Sequence, residues 1–98
     1  MNLSTKLNMQ EEFENRMLDN KTLTRNFLKL GRPEEVSAYE GFVNGNVFSF
    51  YRDYNGEPGF EGLYKELRET ATQQVTQVLQ KFKITPAREL IWRPGLKW

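Results

Sequence analysis

The sequence predicts an α+β domain in the order helix, β-hairpin, helix, strand, with an antiparallel sheet of about three strands carrying the helices. Three observations carry this. Apolar residues recur at helical spacing from Met9 to Leu30, and again from about Gly59 to Lys83. Between them, "FVNGNVFSFY" places Asn44-Gly45 between two apolar runs, a strong hairpin signal. Beyond Pro86, "RELIW" reads as a short strand. The 98 residues fit a single domain, long enough to bury a modest core. Its expected parts are a helical N-terminal region (1–30), a hairpin (38–53), a long helix (59–83), a strand (87–93) and a tail (94–98).

Each element has a local reason. Met9, Phe13, Met17, Leu23, Phe27 and Leu30 fall within one broad face of a helix. The stretch reads as one long helix, within which Asp19 or Asn20 is able to cap a second helix and open a break near Asn20. Gly31 followed by Pro33 stops the helix. "RPEEV" then starts a single turn at 33–37, with Pro33 first and Glu34 and Glu35 behind it. From about Ala38 two readings compete, a strand or a helix that runs further; the Asn-Gly pair favours the strand. In that register Phe42 faces Val47 and Ala38 faces Tyr51 on one side of the hairpin. Tyr39 faces Phe50, and Gly41 lies opposite Phe48, on the other. Both faces are then apolar or aromatic, so either a helix covers each or one is left for a partner.

"RDYNGEPG" is a turn, and the long helix after it is the clearest element. Phe60, Leu63, Tyr64, Leu67, Ala71, Val75, Val78 and Phe82 make one stripe. Its outer face, "ETATQQVTQ", carries mostly neutral Thr and Gln, which lose less hydration than ions when covered. Gln74 falls within the stripe and, if buried, needs a hydrogen-bonding partner.

Composition excludes several chemistries. The chain has no cysteine and no histidine. That removes disulfides, thiolate nucleophiles, Cys-based zinc sites and every Ser-His-Asp or Cys-His arrangement. Asp53, Asn55 and Glu57 alternate like the first ligands of a calcium loop. The sixth and twelfth positions of such a loop need Gly and an acid, and here they are Pro58 and Tyr64. Neither "NGNV" nor "NGEPG" has phosphate-loop spacing. No catalytic residue, cofactor, metal or small-molecule substrate is indicated. With no signal-like or membrane-spanning run, the chain reads as soluble and cytoplasmic.

Charge is uneven along the chain. Residues 1–80 hold 9 basic and 12 acidic residues, whereas 81–98 hold 5 basic and one acidic. The final "IWRPGLKW" interleaves rings and cations, which suits protein anchoring or single-stranded nucleic acid. The expected function is a non-catalytic protein-interaction module, an accessory or regulatory subunit. It would bind a protein partner or a second copy through the aromatic hairpin (Phe42, Val47, Tyr51), the tail (Trp92, Arg93, Lys97, Trp98), or both. The alternative is a nucleic-acid-binding protein that uses the basic-aromatic C-terminal segment.

Overall fold

The computed structural model describes residues 3–84. They form helix α1 (Leu3–Leu30), a 3-10 turn (Pro33–Glu35), helix α2 (Val36–Tyr54) and helix α3 (Phe60–Phe82). Each helix packs on both others. Phe13 meets Phe50, and Phe27 meets Phe82. The beginning of α1 therefore lies beside the end of α2, and the ends of α1 and α3 lie together. The architecture is an up-down-up bundle of three helices.

This corrects the α+β expectation. There is no strand among the described residues, and the hairpin at 38–53 is helix throughout. The single turn at 33–37 shrinks to Pro33–Glu35 and opens directly into α2. The reason lies in the spacing of α2's apolar residues. Val36, Tyr39, Val43, Val47 and Phe50 are all buried, at i, i+3, i+7, i+11 and i+14. A hairpin splits these residues between two faces and requires a covering layer on each. One helix buries all five against the same two neighbours. At roughly 1.5–3 kcal/mol per buried side chain, that gain exceeds the ~1 kcal/mol that each interior glycine (Gly41, Gly45) costs.

Neither Asp19 nor Asn20 breaks α1, which runs unbroken for 28 residues. Asn20 is instead buried, 1% exposed. Its Oδ1 accepts a hydrogen bond from Asn46 Nδ2 on α2 at 2.7 Å. Arg16 donates to Asn46 Oδ1 at 3.4 Å, and the Thr24 and Tyr39 hydroxyls share a bond at 2.7 Å. Arg16, Asn20 and Thr24 recur every four residues, so a polar ladder runs along the α1–α2 seam.

Two aromatic clusters close the ends of the core. Phe27 stacks on Tyr39 at 4.8 Å and meets Phe82 edge-on at 5.7 Å. At the other end Phe50, Phe60 and Tyr64 stack in sequence, at 5.5 and 5.2 Å. Between them lie Val43, Val47, Leu67, Ala71, Val75 and Val78. The α2–α3 turn relies on Gly56 and Gly59, at φ +95 and +86, a region L side chains avoid. Helix α3 falls where its stripe predicts, and its last turn is closed by Lys83 in the left-handed conformation and an Ile84 N–H to Leu79 carbonyl bond.

The seam makes a prediction. Tyr39→Phe strands the buried Thr24 hydroxyl and should lower stability by about 1–2 kcal/mol in urea unfolding. Adding Thr24→Val removes the stranded group and should restore most of that loss. A Tyr39→Phe variant as stable as the parent contradicts the seam.

Candidate functional site

The helical form of α2 re-sorts the residues expected to bind a partner. Val47 is 1% exposed and part of the core, and Tyr51 packs against Phe60 and Tyr64. Phe42 points outward, 68% exposed. The three hairpin residues therefore do not share a face. Trp92, Arg93, Lys97 and Trp98 lie outside the described residues, as do the strand at 87–93 and the tail at 94–98.

The outward side of α2 has a distinct composition. Ala38, Gly41, Gly45 and Arg52 are exposed along it, with Phe42 on one flank and Phe48 (45% exposed) on the other. A Cβ placed at Gly41 or Gly45 meets no described atom within 4 Å. Neither glycine is therefore required by packing inside the bundle, nor by a left-handed backbone. The face is a shallow strip of bare backbone beside a large exposed ring.

A second surface lies on the far side of the bundle, where α1 and α3 meet. It is an open groove of about 370 Å³ lined by Lys21, Arg25, Leu28 and Lys29 of α1 and by Gln74 and Gln77 of α3. The neutral Thr/Gln face of α3 is one of its walls. The partner expected for a buried Gln74 is missing: its Oε1 is buried with no hydrogen bond among the described residues, as is the Nδ2 of Asn20. The regular cations of α1 passed unnoticed in the sequence, although the signal was there. Residues 20–33 contain Lys21, Arg25, Lys29 and Arg32 and no acid.

No three Asp or Glu side chains among the described residues are grouped to hold a metal ion. Among the described residues the shifted ionisable groups are tyrosines. Burial pushes the Tyr39 hydroxyl above its usual range, the Thr24 bond opposes this in part, and the Glu40 charge adds to it. Burial raises Tyr64 further, against the pull of the Arg68 guanidinium 5.5 Å from its ring. No helix among the described residues is long and apolar enough to cross a membrane. No protein-family model matches the chain, and neither a curated protein nor a solved structure does.

The tyrosines set the alkaline limit of the fold. Unfolded tyrosine ionises near pH 10, while Tyr39 and Tyr64 keep their protons higher. The folded state then holds more protons than the unfolded one, so stability falls as pH rises above about 10. Urea midpoints should stay level up to about pH 9 and drop beyond it, and less steeply in Tyr39→Phe. A midpoint that rises above pH 10 contradicts this.

Proposed function

We propose that the chain is a non-catalytic protein-interaction module that docks a partner's helix on the outward face of α2. The observation that carries this is the pairing of an exposed Phe42 with two interior glycines, Gly41 and Gly45, that have open space before them. Interior glycine weakens a helix by about 0.5–1 kcal/mol relative to alanine. Two of them on one exposed face lower stability without return inside the bundle. They do allow another backbone to approach closely, which brings the full ring of Phe42 into contact. Aromatic rings are enriched at the cores of protein interfaces relative to the rest of the surface. The nucleic-acid alternative rests on the C-terminal rings and cations, which lie outside the described residues.

The test uses the glycines against themselves. Gly41→Ala with Gly45→Ala should raise stability by about 1–2 kcal/mol in urea unfolding. The same variant should lose most of the nuclease-resistant partner that the parent chain retains from its source lysate. Phe42→Asp, checked as folded by circular dichroism, should lose it as well. A partner retained equally by both variants contradicts the reading, and so does one released by nuclease.

A further inference from the structure

We infer that the groove between α1 and α3 is a binding site for an acidic amphipathic helix supplied by a partner protein. This site is separate from the α2 face and does not depend on it. Its first support is charge. The α1 wall presents Lys21, Arg25 and Lys29 at four-residue intervals, one cation about every 6 Å along the axis. None of the three makes an ion pair among the described residues, where the ion pairs involve Arg16, Arg32 and Arg52. Like charges at this spacing repel by a few tenths of a kcal/mol per pair. The bundle itself returns nothing for that repulsion. A partner helix with carboxylates at the same interval has the same pitch and cancels it.

The opposite wall supplies the second support. From Thr70 to Ile84, α3 and its end contain no acid, only Lys81 and Lys83. Gln74 and Gln77 line the groove there, and amides can be covered at less desolvation cost than ions. Leu28, beside the buried Thr24, lines the groove and offers an apolar contact to one aliphatic side chain of the incoming helix. Concavity, this apolar contact and a single row of cations favour a helix over a phosphate backbone. A nucleic acid backbone requires the charges and has no use for the apolar contact.

The third support is a fourth cation at the groove's end: Lys81 Nζ donates to the Leu28 carbonyl, so the end of α3 sits at the Lys29 end of the groove. The acids of α1 and α3 that are nearest in sequence, Asp19 and Glu69, stop short of these segments.

The probe is a fluorescein-labelled helical peptide of about twenty residues, with Glu at every fourth position and Leu on the adjoining stripe. Its control has the same composition, scrambled so that the acids share no face. The full chain should bind the patterned peptide at least tenfold more tightly than the scrambled one, with affinity falling as salt is raised. Arg25→Glu and Lys29→Glu, both at exposed positions, should each weaken binding about tenfold while circular dichroism stays unchanged and Tm does not fall. Lys65→Glu, on the opposite side of α3, should leave binding intact. Equal binding of both peptides overturns the inference, as does an equal loss with Lys65→Glu, because either reduces the effect to net charge. Absence of peptide binding overturns it too. Tighter binding of a single-stranded oligothymidylate, abolished by Arg25→Glu, would overturn it in favour of nucleic acid.

Discussion

The structure depends on one constraint: five apolar residues of α2 must be buried on a single side. Val36, Tyr39, Val43, Val47 and Phe50 meet that requirement only when residues 36–54 form one helix. Everything on the surface follows from this. Once those five turn inward, Ala38, Gly41, Phe42 and Gly45 must turn outward. The exposed ring and the bare strip beside it are the geometric complement of the core stripe. The same helix carries Asn46 and Tyr39 to the α1 seam, where Asn20 and Thr24 wait at matching heights.

The seam adds specificity that apolar packing lacks. Phe and Val side chains tolerate sliding, because their contacts are non-directional. A buried amide pair and a buried hydroxyl pair tolerate it poorly, since each displaced group loses its bond without regaining water. With α1 and α2 held in register, α3 fills the remaining side and leaves its Thr/Gln face at the edge of α1's cations. Acid is concentrated away from that edge, in Glu11, Glu12 and Glu14 at the start of α1 and Glu61, Glu66 and Glu69 at the start of α3. The α1–α3 edge is therefore basic, and a small chain of near-zero net charge still presents a basic groove.

Much of this was legible in the residues, and one local signal obscured the rest. Helix α3 showed itself through an uninterrupted stripe from Phe60 to Phe82, and Gly31 with Pro33 marked the end of α1. Asn44-Gly45 was misread because its turn preference was set above the helix that competed with it. The competing evidence was a period of 3.6 running through it from Val36 to Tyr54, and burial on that period outweighs a two-residue preference. The error spread to the surface, since Phe42 and Val47 share a hairpin face and oppose each other on a helix. The one long helix of residues 9–30 was read correctly, but Asn20 left a break in it open for a related reason. Its side chain can cap a helix or bridge two, and only tertiary context decides.

The most direct measurement of this sorting uses the absence of native cysteine. Phe42→Cys, Val43→Cys, Val47→Cys and Phe48→Cys, made singly, would be followed by thiol labelling under native conditions. A continuous α2 predicts fast labelling at 42 and 48, and labelling at 43 and 47 only as fast as the bundle opens. Equal protection at 42 and 47 would contradict it, because that pairing belongs to a hairpin turning at Asn44-Gly45, and the outward face of α2 would not exist.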